Sequence, residues 1–229
     1  MVREKTRLAI YDMDRTVTVR GTYTPFLLFA ARRTRPWRLL LAPLAVGAMA
    51  GYTMKLVSRK RLKEINLSLL LGPRLSAAAL APHIEAYADH VMAHNLFGKA
   101  VERIAADRAA GYRVALCTAS YELYVDAIAR RIGIAPEDVI GTRLVREGDM
   151  VLARIDGENC YDRDKLPRIA GWMEAIGVAR DDAHIRCYSD HVSDVPMLDL
   201  ADEAFATTPS PKLRAEAARR GWPVLDFSG

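Results

Sequence analysis

Four short apolar runs, RLAIY (7–11), YRVALCT, AHIRCYS and EAFAT, alternate with longer stretches of helical period, and this alternation limits the fold more than any other feature. Each run is too brief for a helix and reads as a strand buried on both faces. YELYVDAIARRIG sets Val125, Ile128, Ala129 and Ile132 on one helical face and closes at Gly133. DKLPRIAGWMEAIG does the same with Leu166, Ile169, Ala170 and Met173. DVPMLDLA and SPKLRAEAARRG read as further helices, and WPVLDF as a last strand. Strands alternating with helices predict an α/β fold with a parallel sheet covered on both faces. TRLVREGDMVLARIDG, alternating on either side of Glu147-Gly148-Asp149, predicts a hairpin.

From Thr24 to about Arg108 nearly everything has helical character, punctuated at Pro36, Gly72-Pro73, Pro82 and Gly98. That block is too long for a simple crossover, so it reads as a helical lobe inserted after the first strand. The expected organisation is a core of residues 1–20 and 109–229 with a helical cap of 21–108. A chain of 229 residues suffices for one good core with a smaller second lobe.

The net charge of +5 suits anionic substrates or an anionic membrane surface, and no basic cluster interleaved with aromatics suggests nucleic-acid readout. Cys117 and Cys187 stand in apolar runs and read as buried thiols, while the three cysteines lack metal-ligand spacing. MVREKTR leads directly into a strand pattern without a secretory signal, so a cytoplasmic location is expected.

The first strand ends on two like charges, Asp12 and Asp14, with Thr16 just beyond. Adjacent buried carboxylates repel each other, so a cation, a reaction or a solvated turn must account for them. In open parallel sheets, ligands bind beyond the carboxyl ends of the strands. After YRVALC come Thr118, Ala119 and Ser120; after AHIRCYS come Asp190 and Asp194; Lys165 opens the helix before that strand. Four carboxylates, two hydroxyls and a lysine on one edge suit phosphoryl transfer through an aspartate, with a hard cation such as Mg²⁺ neutralising charge. Thr118 and Ser120 also suit a helix N-cap, a position that itself attracts phosphate.

DMDRT, ALCTAS, Lys165 and YSDHVSD, in this order, resemble the four motifs of the haloacid dehalogenase superfamily, in its phosphoserine-phosphatase-like branch (subfamily IB). The resemblance implies a Rossmann-like core with a helical cap, Asp12 as nucleophile and Asp14 as general acid and base. It further implies Mg²⁺ held by Asp12, the Asp14 main-chain carbonyl and Asp190, with Asp194 in support. Thr118, Ala119, Ser120 and Lys165 would bind the substrate phosphate.

Phosphoserine phosphatases of that branch carry a glutamate shortly after the first motif; here the region reads VTVRGTYTPF, with Arg20 and no acid. On that ground phosphoserine is demoted as substrate. Leu39 to Met54 holds no charged residue, with Arg32, Arg33, Arg35 and Arg38 before it and Lys55, Arg59, Lys60, Arg61 and Lys63 after. Such a segment is either a buried cap helix or a membrane-interface element, since about 20 apolar residues are needed to span a bilayer. Its character resembles the cap of bacterial phosphatidylglycerophosphate phosphatases, which implies a lipid phosphate monoester as substrate and a peripheral place at the inner membrane face through residues 32–63. The alternatives are a phosphatase of a small soluble ester and, from another class, an inactive membrane-surface adaptor. Adaptors of that kind lack the nucleophile or a metal aspartate; all four aspartates are present here.

Overall fold

The computed structural model describes residues 5–228; residues 1–4 and 229, part of the core expected above, lie outside the described residues. β1 (Thr6–Tyr11) is buried over its last four residues and lies between β3 (Arg113–Tyr121) and β7 (Ala183–Ser189). β4 (Val139–Thr142) continues the sheet beyond β3, while β8 (Glu203–Thr207) and β9 (Val224–Leu225) continue it beyond β7. All these pairings are parallel. The chain therefore builds outward from β1 first on one side and then on the other. That reversal opens a crevice at the carboxyl end of β1.

Alternation along β1 sends its side chains into two cores. Ala9 and Tyr11 join one face; Leu8 and Ile10 join the other. On the first face the Tyr11, Tyr188 and Phe205 rings stack at 4.1 and 4.8 Å. Their hydroxyls need partners when buried, and Asp107 supplies them, accepting from Tyr11 at 2.6 Å and Tyr188 at 2.7 Å. Asp107 belongs to α5 (Gly98–Ala109), so this helix packs on the core sheet although it falls inside the expected cap block. The second face is covered by α7 (Lys165–Ala175), α8 (Val195–Leu200) and α9 (Pro211–Arg220). On α7, Ile169 and Met173 are buried as their spacing predicts, but Ala170 is exposed and Trp172 is buried in its place, donating to Asp138 at 3.0 Å. All three cysteines are buried free thiols, and Cys117 and Cys160 lie 3.9 Å apart.

The inserted lobe holds α1 (Tyr23–Thr34), a 3₁₀ turn (Pro36–Leu41), α2 (Ala42–Thr53), α3 (Arg59–Leu70) and α4 (Ala77–His94). α4 packs against α6 (Glu122–Arg131) through Glu85 and Asp89, which pair with Arg130 and Arg131. Pro82 sits inside α4 rather than ending it; the carbonyl it leaves unpaired belongs to exposed Ala78. One strand interrupts the helical block: β2 (Arg74–Ser76) pairs with β6 (Met150–Ile155), which pairs with β5 (Leu144–Glu147). The expected hairpin is thus present, but it completes a separate antiparallel sheet with the lobe. α2 contains no buried residue, so the buried-helix alternative for Leu39–Met54 does not describe it.

Candidate active site

Asp12 follows β1 directly, and its main-chain N–H is fixed by the Tyr188 carbonyl at 2.9 Å. The next turn is tight: the N–H groups of Thr16, Val17 and Thr18 all reach back to the Met13 carbonyl. Arg15 makes that possible with a left-handed backbone, φ 67°, which costs a non-glycine residue about 1–2 kcal/mol. The turn leaves Asp12 and Asp14 facing one cleft of about 220 Å³.

Lys165 is the fixed point of the cleft. Its side chain is 1% exposed, and Nζ donates to Asp12 Oδ1 at 2.7 Å and Asp194 Oδ2 at 2.8 Å. Asp194 also accepts from the Ser189 hydroxyl at 2.7 Å. Burial alone would strip the lysine of its proton, but the Asp12 and Asp194 carboxylates outweigh it and raise its pKa. Burial pushes the Asp12 carboxyl well above its ordinary range; Lys165 pulls it back, while Asp194 and Asp190 repel it. Burial and the charge of Asp194 likewise push Asp190 up to about 6.

Asp14 is held differently. Its Oδ1 accepts from the Thr22 N–H at 2.7 Å and the Thr22 hydroxyl at 2.8 Å, and its Oδ2 accepts from Ser120 Oγ at 2.8 Å. Of the expected phosphate ligands, Ala119 lines the cleft, Ser120 gives its hydroxyl to Asp14, and the fully buried Thr118 accepts from the Ser120 N–H at 3.1 Å. Thr118 and Ser120 therefore brace the end of β3 and do not cap the following helix, whose N-cap is Tyr121 without a side-chain cap. Below them the Ala119 carbonyl accepts from Thr142 Oγ1 at 2.7 Å and from Lys63 Nζ. Lys63 belongs to α3, is buried, and also donates to Asn159 Oδ1 at 2.9 Å; burial pulls its pKa down to about 7.

Four side chains not anticipated from the sequence, Arg15, Arg59, Tyr161 and Ser193, complete the cleft together with His191, which stands between the two aspartates of YSDHVSD. Arg59 stacks on the Tyr161 ring at 3.6 Å, so an α3 residue and a core loop 102 positions later form one wall. Only the arginine's place next to an apolar segment hinted at this. Arg20, expected to meet the substrate, is exposed and does not line the cleft; its N–H is tied to Asn95 at 2.9 Å. Arg20 therefore does not count against phosphoserine, and only the missing acid after the first motif does. A larger cleft of about 720 Å³ lies between α7 and Leu200, away from these carboxylates.

Whether a divalent cation suits this cleft follows from its donors. Asp12, Asp14, Asp190 and Asp194 bring four carboxylates to the cleft against Lys165, Arg15 and Arg59, and Asp12, Asp190 and the Asp14 main-chain carbonyl would offer hard oxygen donors. A divalent cation would offset the burial that chiefly raises Asp12 and Asp190 and the repulsion from Asp194 that adds to it, which fits Mg²⁺, an ion that binds few carboxylates and keeps several waters. Among the described residues no three acidic, His or Cys side chains converge closely enough to enclose an ion unaided.

Known proteins share this architecture. The pattern of the haloacid dehalogenase-like hydrolases matches residues 9–199. A probable phosphatase of Mycobacterium tuberculosis is 34% identical over 133 residues, which is 58% of this chain and 45% of that protein. The phosphoserine phosphatase SerB1 of the same organism is 32% identical over 226 residues, 97% of this chain and 71% of that one. A crystal structure of a Bordetella pertussis Tohama I protein of unknown function superposes with a TM-score of 0.85 at 30% identity, covering 97% of this chain and 99% of that one. With the family pattern spanning β1 through α8 and both strand-end aspartate pairs, the chain belongs to the haloacid dehalogenase-like hydrolases.

Proposed function

We propose that the chain is a Mg²⁺-dependent phosphomonoester hydrolase working through an aspartyl-phosphate on Asp12. The observation that carries this reading is the buried Asp12–Lys165–Asp194 chain of contacts at the end of β1, with Asp14 independently braced beside it. Asp12 would attack phosphorus through Oδ2, which no protein donor engages among the described residues. The P–O bond to the leaving alcohol breaks, and Asp14 delivers the proton that alcohol needs. Asp14 then takes a proton from the water that attacks the acyl phosphate, releasing inorganic phosphate and restoring Asp12. Lys165 remains beside the reacting carboxylate and offers its charge to the phosphoryl oxygens. Mg²⁺ held by Asp12, Asp190 and the Asp14 carbonyl would neutralise charge between nucleophile and substrate.

For substrate, the reading favours a phospholipid phosphate such as phosphatidylglycerophosphate, with the chain peripheral at the inner membrane face. What supports it is an exposed apolar helix flanked by arginines beside a cleft with two further arginines. A second reading, a soluble ester such as phosphoserine, has its own support in the similarity to SerB1 and in the displacement of Arg20 from the cleft. Arg59 would suit the carboxylate of such a substrate.

Phosphate release measured with Mg²⁺ on phosphatidylglycerophosphate in mixed micelles and on a panel of soluble esters separates the two. Asp12→Asn serves as blank. Turnover confined to the lipid supports the first reading, turnover on phosphoserine the second, and turnover that survives Asp12→Asn would sink the mechanism.

A further inference from the structure

α2 reads APLAVGAMAGYT, and neither it nor the preceding 3₁₀ turn contains a buried residue. Seven of the nine large apolar side chains exposed among the described residues fall in these two elements and the residues just after them: Trp37, Leu40, Leu44, Val46, Met49, Met54 and Leu56. Leu40 is 81% exposed and Leu56 77%. Soluble proteins scatter such residues singly, and a contiguous patch marks a surface that something else covers.

Charge identifies the cover. From Arg15 to Lys63 the sequence holds eleven lysines and arginines and no aspartate or glutamate, so the remainder of the chain is net negative. Arg32, Arg33 and Arg35 are exposed on one side of the apolar stretch, Lys55 and Arg61 on the other. A second copy placed on this face would set one basic rim against another, which like-charge repulsion disfavours. An anionic lipid surface satisfies both parts: headgroup phosphates for the rim, acyl chains for the apolar residues. Length fixes the depth. α2 has 12 residues, about 18 Å of helix against about 30 Å of hydrocarbon, and no helix among the described residues can cross a membrane.

We infer that the segment of residues 36–56 docks on an anionic lipid surface, inserting Trp37, Leu40, Leu44, Val46 and Leu56 to interfacial depth while the arginines and lysines around it hold headgroups. The inference deepens, and for its purpose rests on, the lipid-phosphate reading. α3 begins immediately after this segment, and its first residue, Arg59, lines the catalytic cleft. Docking would therefore bring the cleft mouth to the headgroup layer.

The test is flotation of the full chain with vesicles of phosphatidylcholine alone and of phosphatidylcholine mixed with phosphatidylglycerol, with analytical ultracentrifugation alongside. The chain should float with the mixed vesicles only, and less so at high salt. Leu40→Glu with Leu44→Glu should lower binding more than about tenfold while hydrolysis of p-nitrophenyl phosphate stays unchanged. Arg32→Ser and Arg35→Ser should each cost about fivefold. Failure of the wild type to float with phosphatidylglycerol at low salt overturns the inference. So does a dimer that Leu40→Glu with Leu44→Glu dissociates, because the face then belongs to a second copy. The two readings separate cleanly. Flotation with turnover of soluble esters alone keeps the dock and removes the lipid substrate; turnover of micellar lipid without flotation keeps the substrate and removes the dock.

Discussion

Replacing Lys165 by Met tests the charge arrangement of the cleft more directly than any other change. The side chain is 1% exposed and contributes both the 2.7 Å contact to Asp12 and the 2.8 Å contact to Asp194. Met keeps the length and removes the charge, leaving three carboxylates, Asp12, Asp190 and Asp194, with no cation between them. Removing one partner of a buried ion pair costs about 3–5 kcal/mol. For a chain of this size that is roughly 6–20 °C in Tm. The loss cannot be uniform with pH, because Asp12 is already pushed up and can escape repulsion by taking a proton. A melting experiment on metal-free protein should therefore show the full drop at pH about 8 and a smaller one at pH about 5. Added Mg²⁺ should recover part of the drop at the higher pH, and turnover should fall about 10²–10³-fold. A Tm change below about 2 °C, or an equal drop at both pH values, would refute the view that this lysine's charge holds the carboxylates together.

Asp190, pushed up from 3.8 to about 6, stabilises the folded metal-free protein only below its ordinary value, and that contribution is lost as pH rises through about 6. The displacement is worth about 3 kcal/mol, so Asp190→Asn should flatten the melting profile between pH about 4 and 6; an unchanged profile contradicts the cause. Lys63 has the opposite sign, since its lowered pKa of about 7 makes its contribution greatest above its ordinary value and lost as pH falls through about 7. The stability difference between wild type and Lys63→Met should therefore shift in favour of the wild type from pH about 7 upward, as read by denaturant titration. Thr22→Val removes one of two Thr22 donors to Asp14 and leaves the other. Its cost of about 1–1.5 kcal/mol should appear as roughly a tenfold loss in kcat with KM little changed.

The chemistry-bearing strand ends were legible because β1, β3 and β7 each carry a short, mostly apolar run that gives way abruptly to polar residues. β4 was missed for a physical reason: four residues, VIGT, including a glycine, are too short for a period to register. β2 is shorter still, and only its partner β6, about 75 positions later, makes it a strand. The helical character of α5 was readable, but nothing local says whether a helix packs on a sheet or on other helices. Asp107 settles that through two tyrosines that are distant in sequence. Arg20 and Arg59 show the same limit at the cleft. Proximity to the first motif suggested Arg20, whereas a stacking contact with Tyr161 brings Arg59 in.

Asp14 joins these levels of organisation. One oxygen is held by Thr22, the residue on which α1 of the lobe begins, and the other by Ser120 at the end of core strand β3. The Thr22 hydroxyl is in turn 2.9 Å from Tyr124, and the Thr22 carbonyl accepts from Tyr87 of α4 at 2.8 Å. Lys63 of α3 ties the lobe to Ala119 in the same β3 segment. The lobe therefore supplies, through Thr22, two of the three hydrogen bonds that aim the proposed proton-transfer carboxylate. A change in the seating of α1 or α4 would first be felt at Asp14, while Asp12, fixed within the sheet by Tyr188 and Lys165, would stay in place. The proposed nucleophile and the proposed acid are thus mounted on separate supports, so Thr22→Val should impair proton transfer and leave the integrity of the sheet intact.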